Sequence, residues 1–384
     1  MLFDQLKGRK LISPLGTAFL PQRPRILVIT LRRLGDVLLT TPLIRALKTG
    51  LVGSSIDALV FRESEGMLEG NSDLNDVIGM PRHPSTAETA GLVRRLWRRY
   101  DLAVPTQTGD RPVFLAWAAG RRRVGFVAPA DSGAWWKRHV FDRYVHPDAD
   151  NHRVTELLRL ADVVGVPRCQ EVVCPAATVA AAMPVPSPYA VLHATPRFRI
   201  RRWTDEGWRA LARALVDRGL AVVATGGPDP AEKKYLDLIW HTGEPPIMRL
   251  DGAPSWPELT ALLRGAAVYV GPDTSMTHLA ASTGVPTVAL YGPASPCVTG
   301  PWPTGGLETP WARVGPIQVR GNVWVVQNPL PCMPCDKLGC ENHVDSHSQC
   351  LDELPVRQVL TAVEQALAVR LAARASRGQR GEAG

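Results

Sequence analysis

The chain has 384 residues, 45% of them hydrophobic and 21% charged, which is ordinary for a soluble globular protein with real cores. That excludes disorder, collagen and coiled coil, and a prior of about 150 residues per domain suggests two domains. The formal net charge of +8, from 44 Lys+Arg against 36 Asp+Glu, favours an acidic partner: nucleic acid, an anionic membrane face or a phosphorylated substrate.

From Arg25 the pattern alternates strand and helix. RILVIT (25–30) is a continuous apolar, β-branched run, as a buried parallel strand should be. The loop LRRLG leads to a single expected helix over 36–48. SIDALVF (55–61) and DVIGM (76–80) read as strands, and a basic helix follows, ending in LVRRLWRR at residue 99. DLAVP (101–105) and RRVGFV (122–127) are two more strands, and 152–164 is a helix. Strands alternating with helices predict a doubly wound parallel sheet. AAMPVPSPY (181–189) holds three prolines, each restricting its predecessor to extended backbone, and reads as an interdomain linker.

The alternation then restarts. AVLHAT (190–195) is a strand, Trp208, Leu211, Ala212 and Leu215 mark a helix face, and LAVVATGG (220–227) enters a glycine turn. A helix over 257–263, the strand AAVYVGPD (266–273), a helix from SMTHLAAS and the strand PTVALYGP (286–293) follow. Residues 294–335 read as irregular, and a helix over 355–373 precedes a basic tail expected to be disordered. The expected division is a first half over 1–180, a linker over 181–189, a second half over 190–354 and a terminal segment over 355–384. No apolar run approaches the roughly 18–20 residues of a membrane span, and the start MLFDQLKGRKLISPLG lacks a signal-peptide pattern, so a cytoplasmic chain is expected.

Ligands of open α/β sheets bind at the carboxyl ends of the strands, and two loops there stand out. In Leu31-Arg32-Arg33-Leu34-Gly35-Asp36 the G-x-G-x-x-G glycines are missing, which argues against a dinucleotide. Asp36 is either an N-cap or a carboxylate held at a cleft as a general base. In Gly271-Pro272-Asp273-Thr274-Ser275-Met276-Thr277-His278 a strand enters a helix whose unpaired N–H groups attract phosphate. Asp273 or Ser275 could equally be a plain cap, and His278 a satisfied core histidine.

The run V-I-T-L-R-R-L-G-D-V-L-L-T-T-P-L-I-R-A-L-K resembles the first signature of glycosyltransferase family nine, the ADP-heptose:lipopolysaccharide heptosyltransferases. G-P-D-T-S-M-T-H-L-A-A-S-T-G-V-P-T-V-A-L-Y-G-P resembles the second, and H-A-T followed by R-R-W and G-W resembles the segment between them. The resemblance implies a GT-B architecture: two Rossmann-like doubly wound α/β domains facing across a cleft. It implies an inverting transfer of heptose from ADP-heptose to a lipopolysaccharide core or lipid A acceptor, the acceptor in the first half and the donor in the second. Asp36 matches the catalytic aspartate, and Thr195, Asp273, Thr274 and His278 match donor-site positions. Arg201 stands where a phosphate-contacting lysine is usual, Ser275 where relatives often carry glycine, and Glu232 matches an acidic residue near the nucleoside. The alternative keeps fold and mechanism with another nucleotide sugar or surface-glycan acceptor.

The chemistry suits these residue types. An acceptor hydroxyl loses its proton as it attacks, and charge develops on a nucleoside diphosphate, which a helix N-terminus and Arg201 can stabilise with no metal. Asp148-Ala149-Asp150 spells the D-x-D of metal-dependent transferases but precedes a helix, where a solvated turn is the plainer reading. Cys332, Cys335, Cys340 and Cys350 read C-x2-C-x4-C-x9-C, with His343 and His347 between them. They suit a structural zinc or iron–sulfur site, a disulfide or redox pair, or four unligated thiols. Arg94, Arg95, Arg98, Arg99 and Arg121 to Arg123 form basic clusters without a nucleic-acid motif. They fit peripheral contact with the cytoplasmic face of an inner membrane, with no nucleic-acid partner.

Overall fold

The computed structural model describes residues 14–16, 19–129, 135–177, 185–241, 245–252, 254–343 and 345–381. The first part of the linker, 181–184, lies outside the described residues. In chain order the first half contains β1 (Arg25–Thr30), α1 (Leu34–Leu38), α2 (Thr41–Gly50), β2 (Ser55–Phe61), a 3-10 turn (Arg62–Leu68), β3 (Asp76–Met80), α3 (Thr86–Leu96) and β4 (Tyr100–Pro105). It continues with α4 (Asp110–Ala119), β5 (Gly120–Phe126), α5 (Lys137–Val140), β6 (Arg143–Val145) and α6 (Arg153–Val164). The strands form one parallel sheet in the order β3-β2-β1-β4-β5-β6.

The second half contains β7 (Tyr189–His193), α7 (Asp205–Val216), β8 (Ala221–Gly226), α8 (Pro230–Ile239), β9 (Ile247–Asp251), α9 (Trp256–Gly265), β10 (Val268–Pro272), α10 (Ser275–Thr283) and β11 (Thr287–Leu290). After these come α11 (Pro296–Thr299), β12 (Ile317–Arg320), β13 (Val323–Val326), α12 (Gln349–Asp352) and α13 (Val356–Gly381). Its sheet runs β12-β13-β11-β10-β7-β8-β9, with only β12 antiparallel. Leaving that edge strand aside, both halves have the Rossmann order, which reverses direction beside β1 and β4 in one and beside β7 and β10 in the other.

The elements follow from their residues. Ile26 and Val28 point to one face of the first sheet and Leu27 and Ile29 to the other; all four are buried under helices. Ser85 and Glu88 close a capping box on α3, and Ser255 and Glu258 do the same on α9. In α7 the stripe Trp208, Leu211, Ala212 and Leu215 is fully buried, as its helical spacing predicts. A third core joins the halves: Val37, Leu38, Val60 and Met67 pack with Val191, Tyr269, Met276 and Leu279.

Several expectations need correction. The single helix over 36–48 is two, because Pro42 sits in the first turn of α2 and starts a new helix there. The region 294–335 is not wholly irregular; Gly321-Asn322 turns the hairpin of β12 and β13. The last helix runs to Gly381, through most of the stretch expected to be disordered. Its face Val359, Ala362, Val363 and Ala366 covers Trp324 and the second sheet. Five further elements of the middle of the chain, α4, α5, β6, α8 and β9, had no counterpart in the sequence reading. Helix α4 is apolar on most sides and buried, so it carries little periodic signal.

Candidate active site

A cavity of about 920 Å³ opens where the carboxyl ends of the two sheets meet. Loops after β1, β2 and β3 contribute Arg33, Leu34, Glu63, Ser64 and Arg82 to its wall, and loops after β7, β8, β9 and β10 supply the rest. The fold therefore places its ligand space at the switch points of both sheets, as the general rule for open α/β sheets requires.

The two loops singled out in the sequence touch. Gly35 N–H donates to Ser275 Oγ at 3.1 Å, across 240 residues of chain. A Cβ at Gly35 would stand 3.2 Å from His278 Cδ2, so glycine suits this close approach of α1 to α10. Thr274 caps α10, accepting from Thr277 N–H. The cap is therefore neither Asp273 nor Ser275, and Asp273, Thr274 and Ser275 all line the cavity.

Asp273 is 5% exposed. Arg201 reaches it from the loop after β7, with Nη1 3.1 Å from Oδ2 and also donating to the Asp273 carbonyl at 2.7 Å. Tyr291 donates its one hydroxyl proton to Thr299 O at 2.6 Å, and the same oxygen lies 3.4 Å from Asp273 Oδ1. Burial holds the Tyr291 hydroxyl well above its ordinary pKa, and Asp273 adds to that. His278 is buried behind the first turn of α10 and does not line the cavity. Burial pushes its pKa down against the opposing pull of Asp273 and Asp36, so the neutral imidazole is favoured.

Thr195 is 4% exposed, lines the cavity and has a hydroxyl with no partner among the described residues. Glu232, in the first turn of α8, accepts from Gly227 N–H at 2.7 Å and closes the turn after β8. His193, also in the lining, bonds Thr225 Oγ1 through Nδ1 at 3.1 Å, and burial pushes it down to about 4.

Asp36 lies on α1, three residues after Arg33, but is not itself part of the lining. Its side chain is 27% exposed and flanked by two guanidinium groups: Arg32 Nη1 at 3.7 Å and Arg153 Nε at 3.4 Å from Oδ1. Arg153 opens α6, donates to Thr106 O at 3.3 Å, and is lowered to about 10 by burial. Its neighbour His152 caps α6 through Nδ1 and donates from Nε2 to Gly300 O of the other half at 2.8 Å. Burial lowers His152 to about 4; its ring packs 4.7 Å from that of Trp302, which donates to Gln170 O.

Arg33, Arg197, Phe198, Arg153 and the His152–Trp302 contact escaped the sequence reading. The doubled arginines of L-R-R-L and P-R-F-R were the available signal for the first three. The D-x-D motif forms a turn ahead of α6, with Asp150 N–H donating to Asp148 Oδ1 at 3.2 Å.

The four clustered cysteines lie on one folded-back segment: Cys332 and Cys340 exposed, Cys335 intermediate, Cys350 buried, all as free thiols. Burial pushes Cys350 up to about 12, with Cys335, Cys340 and Cys332 nearby adding to it. Gln349 N–H donates to Cys340 Sγ at 3.4 Å, and Ser348 Oγ donates to Ile200 O, beside Arg201. Among the described residues no three or more His, Cys, Asp or Glu side chains are arranged to hold a metal.

Two Rossmann-type halves sharing one cavity at their strand carboxyl ends define the GT-B architecture. In structure the chain is similar to Escherichia coli ADP-heptose lps heptosyltransferase II, with TM-score 0.68 and 19% identity over 90% of this chain and 98% of that one. It is likewise similar to E. coli heptosyltransferase WaaC with ADP, with TM-score 0.65 and 19% identity over 89% and 99%. In sequence it is 24% identical over 350 residues to lipopolysaccharide heptosyltransferase 3 of E. coli, covering 87% of this chain and 95% of that protein. The description glycosyltransferase family 9 (heptosyltransferase) matches residues 90–307, more than half of the chain, and the chain belongs to that family.

Proposed function

We propose that this glycosyltransferase moves heptose from ADP-heptose to an acceptor of the lipopolysaccharide core, with inversion and with Asp36 as general base. The observation that carries the reading is the polarity of the cavity. Arg33, Arg82, Arg197 and Arg201 converge at one end beside the N-terminus of α10, while Glu232 and Asp229 stand at the turn after β8. A diphosphate suits the cationic end and nucleoside hydroxyls suit the acidic one. The names of the relatives, with ADP and ADP-heptose among them, support the same donor.

In the reaction the acceptor oxygen attacks the anomeric carbon, and the bond from that carbon to the diphosphate oxygen breaks. The diphosphate keeps the electron pair, and the hydroxyl proton passes to Asp36. Asp36 stands in the first turn of α1, three positions after the N-cap Arg33, which puts the carboxylate on the same loop-to-helix start as a guanidinium of the cavity wall. Guanidinium groups and helix N–H donors fixed in advance stabilise the leaving charge without reorganising. No helix among the described residues is long and apolar enough to cross a membrane. We therefore propose a cytoplasmic enzyme that meets a lipid-borne acceptor peripherally at the inner membrane.

A structural zinc or iron–sulfur group at Cys332, Cys335, Cys340 and Cys350 is part of the proposal; the C-x2-C-x4-C-x9-C spacing carries it, and since the described side chains are not arranged as a ligand set, the segment would have to close around the ion. Ligation would tie down the segment behind the loop carrying Arg201, without any part in the transfer. Protein purified without chelator then carries close to one equivalent of zinc, or shows iron–sulfur absorbance, and Cys335→Ser loses both the metal and thermal stability. Metal-free protein whose stability ignores chelation contradicts this.

The function is tested by incubating the protein with ADP-heptose, other nucleotide sugars and truncated core acceptors. A product heavier by one heptose, formed from ADP-heptose alone, is expected. Transfer of a different sugar would replace the donor assignment, and turnover of none would remove the function.

A further inference from the structure

We infer that Arg33, reaching from the first half over Phe198 of the second, is a ligand of the donor diphosphate, so that one anion is gripped from both sides of the cavity. The inference rests on the donor-site reading above and gives a role to Arg33, a position inside the first signature run to which the resemblance assigns none.

Arg33 lies in the loop after β1, which is pinned where it leaves the sheet. Gln107 accepts from Leu31 N–H at 3.0 Å and donates to Leu31 O at 2.9 Å. Arg33 is the N-cap residue of α1 in extended backbone, yet its side chain makes no capping bond. It lines the cavity instead, with its guanidinium 4.8 Å from the centroid of the Phe198 ring. Arg197 approaches the same ring at 5.8 Å. Phe198 is thus a shared platform that brings one cation from each half within reach of a single ligand.

The other charges of the cavity have partners. Arg82 is bonded to Glu63, with Nε at 2.8 Å, and Arg201 to Asp273. Asp229 caps α8 through Ala231 N–H, and Glu232 bonds Gly227 N–H. Neither Arg33 nor Arg197 stands within ion-pair distance of a carboxylate among the described residues. Partial burial, and then Arg197, Arg201 and Arg82, push the Arg33 guanidinium below its ordinary pKa, with only Asp36 opposing. Like charges gathered at a cavity wall are unfavourable until an anion enters. The first residues of α10, a nine-residue helix, line the same cavity, and the start of a helix favours an anion. Two guanidinium groups without an ion-pair partner among the described residues, and a helix N-terminus, suit a diphosphate, with its several negative oxygens, better than a single carboxylate.

The test is calorimetric binding of ADP and, separately, of inorganic pyrophosphate to the full chain and its variants. Arg33→Gln is expected to weaken both by about tenfold or more, as loss of a charge-assisted hydrogen bond does. Arg33→Lys, which keeps the charge but not the fork, should retain part of that affinity. Arg94→Gln, on the exposed face of α3, removes the same net charge away from the cavity and should leave both affinities unchanged. Thermal unfolding of each variant checks that it folds. If the wild type binds pyrophosphate through Arg33 but not ADP, the nucleoside assignment fails and the grip on the diphosphate stands. Unchanged pyrophosphate affinity in Arg33→Gln, a loss no larger than in Arg94→Gln, or no pyrophosphate binding by the wild type overturns the inference.

Discussion

The two halves share a strand order and differ in what their loops carry. Only five of the cavity-lining residues come from the first half, and the loops after β7, β8, β9 and β10 supply the other twenty. The second half brings to its strand ends a capped helix start at Thr274, Asp273 paired with Arg201, and a Thr195 hydroxyl without a partner among the described residues. The first half instead lines the cavity with Arg33, Arg82 and Glu63 and holds Asp36 beside it between Arg32 and Arg153. The same scaffold therefore supports two chemistries, because the sheet only sets where loops emerge and the loops set what they do.

The largest expected effect separates these two roles. Asp36→Asn should lower turnover about 10²–10⁴-fold, the usual worth of a general base, while ADP affinity stays put. Turnover near that of the wild type would leave Asp36 as a helix-start residue and move the base elsewhere.

A second effect concerns stability, in the second half and in the contact between the halves. Half-buried His193 at the cavity wall, and buried His152 bonded to Gly300 across the interface, are each pushed down to about 4 from an ordinary 6.5. The unfolded chain takes up these protons as pH falls through 6.5, and the folded chain refuses them down to about 4. Stability is therefore fully present above pH 6.5 and is lost on acidification through that window, by up to about 3 kcal/mol for each histidine. Melting temperatures at pH 7 and pH 5 check this, and His152→Asn should flatten the slope. An identical slope in that variant would remove His152 from the account.

A smaller effect belongs to the second half alone. Arg201→Gln removes the cation from buried Asp273 and should weaken ADP binding about tenfold, as loss of a hydrogen bond to a charged group does. Calorimetry decides it, and unchanged affinity would mean that Arg201 serves Asp273 only.

Much of this was legible because the chain repeats one unit. Buried parallel strands such as RILVIT and SIDALVF read as continuous apolar runs, and their bounds in the structure are those of the sequence reading. The loops holding Asp36 and Asp273 stood out by position, just past such strands. What stayed hidden depends on contacts between residues far apart in the chain. Nothing local to His152 announces Gly300, and Arg33 gains its meaning only from Phe198, 165 positions later. Strand β6 has three residues and β9 alternates with charges at a sheet edge, so neither carries a strong period. The Gly321-Asn322 hairpin did carry its signal, a two-residue turn between apolar runs, and was read as irregular chain.

The central claim is that the second half holds the nucleotide while Asp36 of the first half faces its sugar. A crystal structure of the protein with ADP-heptose tests it most directly. The account predicts the diphosphate against the first N–H groups of α10 and Arg201, with the anomeric carbon turned toward Asp36. A nucleotide bound elsewhere, or a sugar pointing away from Asp36, would contradict it.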